Sequence, residues 1–518
     1  MFLPQLRQTK KRIKKDNIIF TGIDRNTLIN DNSISVSTNL SFKHYPTISC
    51  RPARETLYTL ATPKAMFAGN SLLAWVDNTS FKYNNTTEGT VTASAKSMVD
   101  FNGKIIIMPD KKYYDYGTDT FGSMEVSYTS GASEITFAAN TITTTGADYS
   151  GFVVGDDLTI SGCVTKTANN LPNTTKLSCI VTNVAAKVLT VTVYGVGGSG
   201  GSLDAGADTG TITIKRAIPD IDYVTTFNNR IFGVKGSNVY ACKLGDYSNW
   251  NTFQYLNTDS YASDVETEGG DFTNIVRYKD HILLFKANIM YPLYGELPRN
   301  FKILPAEKVG CLGSKAAVEV DSVLYFCGSK GVYAYTGGKP QLISMPLNDI
   351  YSSAVMGTDG RLLYLSLYNG SAYRLYVYDT MYKAWLQEDT LQVLDFVTIG
   401  NYCYALSSTG ALLKFNSSTE SISWVLETKD FTDEVFNKKA LCRIYVRMDL
   451  TTGSTATIYT SKDGAAYVTE KALSTTGLTT YTAAIDIAPK DRFKIKIAGT
   501  GDFKLYQLTR EYFLSENS

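Results

Sequence analysis

The chain has 518 residues, with 50 Lys and Arg against 49 Asp and Glu and 44% hydrophobic residues. A length near three domains of roughly 150 residues suits two or three all-β domains, while the balanced charge excludes a global field toward nucleic acid or anionic lipid and leaves only local contacts of either kind. The 35 Tyr and 23 Phe beside 4 Trp, with abundant Thr, Ser and Val, favour strands over helices, and no run of 18 apolar residues marks a membrane span.

In chain order, residues 1–50 read as an irregular arm, rich in Asn and basic residues, that orders against a partner or the propeller rim. Lys10, Lys11, Arg12, Lys14 and Lys15 form its sharpest charge cluster. Without interleaved aromatics, the cluster reads as a solvated arm meeting an acidic partner more readily than as a DNA contact. No apolar stretch follows these charges, so no export signal is expected.

From Ala65 a repeat begins: an apolar strand, a polar hairpin tip, two or three aliphatics, a second turn, then a strand alternating Tyr or Phe. Copies start near Ala65, Ser97, Asp222, Asn274, Ala316, Ser353 and Leu394. The tips near Asn228, Lys279, Asp321, Asp359 and Gly400 lie 51, 42, 38 and 41 residues apart, which are propeller-blade spacings. The expected fold is therefore all-β: a β-propeller of about seven blades over 51–120 and 217–436. The gap between copies two and three holds residues 121–216, read as a small β-barrel or sandwich inserted in an inter-blade loop, where extra domains are tolerated. Its tract GVGGSGGSLDAGADTG reads as a flexible surface loop. Residues 437–518 show six or seven alternating strands with Thr-Gly, Asp-Gly and Gly-Thr-Gly turns, read as an antiparallel sandwich.

Chemistry is sparse. GGSGG at 197–201 satisfies the form of a nucleophile elbow around Ser199, but its flanks are loop and not strand and helix; a linker is the better reading. The acidic run 257–271 holds Asp259, Asp264, Glu266, Glu268 and Asp271. Its spacing fails the EF-hand pattern, so a solvated connection between blades outweighs a calcium site. SKDGAAY at 461–467 has the loose form of an Asp-box hairpin, but a single Asp-Gly turn explains it. Eight scattered Cys without a CxxC read as buried thiols of a chain made in a reducing cytosol, and two His, His44 and His281, argue against acid–base catalysis or a His-ligated metal. No catalytic, cofactor-binding or metal-ligating residue is assigned.

One stretch is more specific. VYACKLGDYSNW at 239–250 ends a strand at Gly245-Asp246 and resumes with Trp250; Gly245 and Asp246 are expected to make the turn leaving a blade, and Trp250 to plug into the adjacent one. It resembles an element of bacteriophage tail proteins, in particular the β-propeller nozzle proteins that close short tails. GVYAYTGGKPQLIS at 331–344, NLSFKHYPTISCRPAR at 39–54 and GDFKLYQLTREY at 501–512 resemble the same family, in the same order. The resemblance implies a structural virion protein, not an enzyme, assembling as a ring, expected to be hexameric, around a DNA-exit channel. It implies an adaptor ring and fibres as neighbours, transient passage of genomic DNA and no cofactor. Two rivals stand beside it: a receptor- or carbohydrate-binding tail protein, marked by exposed aromatics, and a glycan-cleaving propeller, marked by two converging carboxylates.

Overall fold

The computed structural model describes residues 11–26, 30–265, 269–304, 307–433 and 436–515. Lys10, Glu266 and Glu268 lie outside the described residues. The chain is all-β and divides into two units, one of 61–329 with 337–339, the other of 1–60, 330–336 and 340–518.

In the first unit, four antiparallel four-stranded meanders span 63–90, 97–123, 223–264 and 272–303, and the fifth repeat adds the hairpin of Ala317–Val320 and Val323–Gly328. The first hairpins turn on residues that tolerate positive φ. Asn70 and Ser71, Asn102 and Gly103, Asn228 and Asn229, and Asp321 and Ser322 all lie between 47° and 83°, the paired left-handed geometry that matches strand twist in a two-residue hairpin. Neighbouring meanders share cores. Phe81 and Val76 of the first pack with Ile105 and Tyr114 of the second; Phe232 and Val239 of the third pack with Ile282 and Leu284 of the fourth. Side-to-side stacking of repeated meanders through apolar faces is propeller architecture.

Residues 126–216 form two further sheets, of three and six strands, around their own core of Tyr128, Phe137, Phe152, Val191 and Ile214. The insertion begins at Val126, because Thr120–Ser123 is still the last strand of the second meander. The glycine tract expected to be a free loop contains Gly200–Gly201 and Gly206–Asp208, paired to 193–194 and 135–137. Glycine supplies ladder hydrogen bonds without a side-chain pattern to announce them.

In the second unit, Gly331–Tyr335 pairs Gln341–Leu342, and a meander spans 353–389. The next sheet, 393–418, takes Ala53–Thr59 as its fourth strand, so the segment leading into the first repeat completes the last. Tyr364 and Val377 pack with Phe396 and Phe415 between these two sheets.

A sandwich completes this unit, and its extent corrects the expected boundaries. Seven strands lie within 437–518, but the five-stranded sheet also contains Ile34–Thr38 and Ser423–Thr428. The seven-stranded sheet contains Ile13–Asn17, Leu40–Ser41 and Ile48–Cys50. Among its described residues, the supposedly irregular arm therefore contributes four strands to the sandwich. Its pattern hid this because Ile13–Asn17, IKKDN, is an edge strand held by ladder bonds and charge and carries no apolar stripe.

Candidate functional site

The stretch around Trp250 is a joint. Asp246 Oδ1 accepts the Ser248 N–H at 2.9 Å and its hydroxyl at 2.7 Å, and Asn249 donates to Oδ2. This carboxylate-centred turn aims two side chains in different directions. Trp250, 1% exposed, is buried among Phe101, Ile106 and Met108 of the second meander and Val224 and Ile231 of the third, its Nε1 donating to the Tyr247 carbonyl at 2.8 Å. Asn249 points to the inserted domain: its Oδ1 accepts the Asp157 N–H at 3.0 Å and its Nδ2 donates to the Gly155 carbonyl at 3.2 Å. Asn251 donates to the Ala217 carbonyl at 2.9 Å, and Ser178 accepts from the Phe253 N–H at 2.9 Å. Arg216 closes the base of the insertion through Asp156 at 2.8 Å. One short loop thus staples two meanders and a domain.

Asp157 sits in this joint, 4% exposed, with Oδ1 accepting the Cys179 N–H at 2.8 Å and Oδ2 lacking a partner. Burial, reinforced by nearby Asp259, pushes its carboxyl up to about 7 despite the bonds from Cys179 and Ser178 and the charge of Lys243.

The other residues singled out by sequence are engaged structurally. Ser199 donates to the Val196 carbonyl at 3.0 Å. Asp259 is buried and accepts the N–H groups of Gln254 and Leu256 at 2.6 and 3.0 Å, while Asp264 accepts the Ser237 hydroxyl at 2.6 Å. The run 257–271 is not simply a connection, since Tyr261–Asp264 is the last strand of the third meander; a polar edge strand lacks the apolar alternation that would reveal it. Among the described residues no group of three or more His, Cys, Asp or Glu is arranged for a metal. Asp463 holds a left-handed turn, accepting the N–H groups of Asp491 and Arg492 at 2.9 and 3.1 Å. All eight thiols are free and buried; burial pushes Cys50 up to about 12. His281 is buried beside Asp280 at 3.0 Å. His44 is exposed, its pKa lowered by desolvation and by Lys504 and Lys43. Arg12 and Lys14 meet Glu511 at 3.0 and 3.7 Å, so two members of the basic cluster are paired within the chain, while Lys11 and Lys15 are exposed.

A cleft of about 230 Å³ in the second unit was not legible in the sequence. It lies between residues 40–52 and the meander 353–389, with Asn416 at one end. Arg51 and Glu388 of its lining belong to an ionic lock: Arg54 meets Glu388 at 2.5 Å and Asp389 at 2.7 Å, and Arg51 meets Glu388 at 3.3 Å. Burial works against the Arg54 charge, but Glu388 and Asp389 outweigh it and hold its pKa above the usual range; the Arg54 guanidinium also lies 4.4 Å over Phe415. Asp379 accepts Arg361 at 2.7 Å and the N–H groups of Met381 and Tyr382 at 3.0 and 3.1 Å. Asp359 accepts the Tyr364 hydroxyl at 3.0 Å, which Asn416 also contacts at 2.8 Å. Tyr45 stacks on Tyr382, centroids 4.0 Å apart and planes 16° apart, with Arg361 5.3 Å from the Tyr382 ring and Phe42 edge-on to Tyr45. A second cleft of about 450 Å³ shares Lys43, Arg51 and Pro52 and continues past His44 toward Thr451 and Asp502. The carboxylates of Glu388 and Asp379 in this lining are tied to guanidinium groups.

No family model and no curated protein matches this sequence. Among solved structures, a catalytically inactive virginiamycin B lyase from Staphylococcus aureus with quinupristin shares 9% identity over 70% of this chain and 97% of its own, TM-score 0.32. The N-terminal domain of a nucleoporin shares 6% over 74% and 97%, TM-score 0.31. An exo-β-1,3-galactanase from Phanerochaete chrysosporium shares 6% over 55% and 94%, TM-score 0.23. Likeness at this level carries no argument about activity or partners. What the sheets themselves establish is the class: an all-β chain of propeller type.

Proposed function

We propose that this chain is a structural component of a bacteriophage tail, assembled in the host cytoplasm into a ring, hexameric by the family it resembles, that surrounds the DNA-exit channel and carries an adaptor ring and fibres. Its role is non-catalytic: it supplies surfaces and rigidity. One observation carries the reading. The stretch that resembles tail nozzle proteins joins parts of the fold: Asp246 shapes the turn, Trp250 is packed between two meanders and Asn249 holds the inserted domain. A residue set devoted to fixing domains against one another suits a part that must keep its shape while genomic DNA passes. Membrane insertion by helix is not part of this role, and no helix among the described residues is long and apolar enough to cross a bilayer.

Gold labelling of the chain on purified phage particles, viewed by negative-stain microscopy, tests the proposal. A single axial label at the distal tail end is expected. Label confined to lateral appendages overturns the nozzle position, and particles without label overturn the virion role.

A further inference from the structure

We propose that the seam between the insertion and residues 249–256 is a proton-controlled catch, closed while the Asp157 carboxyl is protonated and loosened when it ionises. This goes beyond a tail role and does not depend on it.

The seam is polar, which makes it sensitive to charge. The buried core of the insertion draws on residues 128–214, and the core around Trp250 shares no residue with it. What crosses at Asp157 is a set of hydrogen bonds. Asn249 accepts the Asp157 N–H and donates to the Gly155 carbonyl, while the Ser178 hydroxyl accepts the Phe253 N–H and donates to the Asn251 carbonyl at 3.4 Å. The insertion has its own core and enters and leaves the chain beside Met124 and Arg216, which are bonded to each other at 3.0 Å. A body attached in this way can part from the loop locally while the meanders stay folded.

The charges around Asp157 decide where the proton sits. Its side chain is 4% exposed, Oδ1 accepts one N–H, from Cys179, and Oδ2 lacks a partner. Across the seam Asp259 is equally buried, and its Oδ1 also lacks a partner. Two buried like charges disfavour each other. Asp259 is the better equipped to stay ionised, because its Oδ2 accepts the N–H groups of Gln254 and Leu256 and the Arg230 charge lies near. The cations are committed elsewhere: Arg216 to Asp156, and Arg230 to the carbonyls of Cys242, Asn257 and Asp259. Lys243, half-buried, acts on Asp157 through space and makes no ion pair with it among the described residues. Asp246 is tied to Ser248 and Asn249, and burial and Asp157 together keep Cys179 a thiol.

The proton therefore resides on Asp157, in line with a carboxyl that titrates at about 7. Its loss leaves charge on a buried oxygen that no donor reaches. Water relieves that charge only by entering the seam, at the expense of the bonds that close it.

The test uses purified full-length chain and hydrogen–deuterium exchange at pH 6 and pH 8, corrected for intrinsic rates. Peptides covering 153–158, 176–181 and 249–256 are expected to lose about tenfold in protection at pH 8, because opening follows the ionised fraction one unit either side of about 7. The meander 353–389 is expected to keep its protection. Asp157→Asn is expected to hold the seam closed at both pH values, with unchanged melting at pH 6 excluding loss of fold. Lys243→Met, which removes a charge that favours ionisation, is expected to move the midpoint to higher pH and decides the matter even if Asp157→Asn does not fold. Equal protection at both pH values, loss spread evenly over both units, pH-dependent loss persisting in Asp157→Asn, or an unmoved midpoint in Lys243→Met overturns the proposal. Each of those results leaves the particle-labelling test standing on its own.

Discussion

Two joints in this molecule do the same job with opposite chemistry. The loop at 246–253 joins meanders and insertion through a buried indole and short-range hydrogen bonds that radiate from one turn. The lock at Arg51, Arg54, Glu388 and Asp389 joins residues some 334 positions apart in sequence through buried charge, Arg54 to Glu388. The first draws stability from apolar burial and resists single polar losses. The second is sensitive to the loss of any member, because a buried ion left alone costs far more than the pair contributes.

The largest effect is expected from Trp250→Ala, which leaves a cavity where two meanders meet: a loss of about 4 kcal/mol, read as a drop in the urea midpoint or as insoluble chain. An unchanged midpoint there would remove the distinction between an apolar and an ionic joint. Arg54→Ala, which leaves Glu388 and Asp389 to Arg51 alone, is expected to cost about 2–3 kcal/mol by the same measurement. Asp246→Ala removes the acceptor that shapes the turn, and about 1–2 kcal/mol is expected, with faster proteolysis of the 126–216 insertion as a local readout.

A pH series separates the two joints further. Asp157 titrates at about 7 in the folded chain against 3.8 without the fold. The folded state therefore holds this proton more tightly, so the contribution of Asp157 to stability is greatest below pH 3.8, falls as pH rises between the two values and levels above the higher one. Asp157→Asn is expected to flatten that part of the profile, with a higher melting temperature than the parent at pH 8. A profile unchanged by this substitution would contradict the raised pKa. The smallest effect is expected from Arg12→Ala, an ion pair whose cation is 52% exposed: under 1 kcal/mol, shrinking further in high salt.

The first joint could be read in advance because its parts are contiguous. Gly245, Asp246 and Trp250 fall within six positions, and alternation over 239–242 announced the strand before them. The repeats were legible for a similar reason, since hairpin tips at Asn102, Asn228 and Asp321 recur with local turn chemistry. The ionic lock and the cleft beside it were not legible. Arg51 and Arg54 lie in a stretch with no periodic signal, and Glu388 and Asp389 end a strand that reads as ordinary edge; only the three-dimensional pairing makes them a group. The arm strands failed for the same reason, because Ile13–Asn17 owes its place to a ladder whose other side is Phe503–Leu514.

That ladder carries a consequence for how the protein is made. Arg12 and Glu511 are 499 residues apart. At about 5–20 residues per second, roughly 25–100 seconds of translation separate them. Throughout that interval Ile13–Asn17 and Ile48–Cys50 lack the ladder partner they share, because Phe503–Leu514, which pairs with both, lies far downstream. A ribosome that stops early releases a chain whose arm strands remain open edges, available to proteases and to one another. The sandwich is thus closed late, in one step that joins strands from opposite ends of a long stretch of chain, and a chain cut anywhere between them exposes its arm.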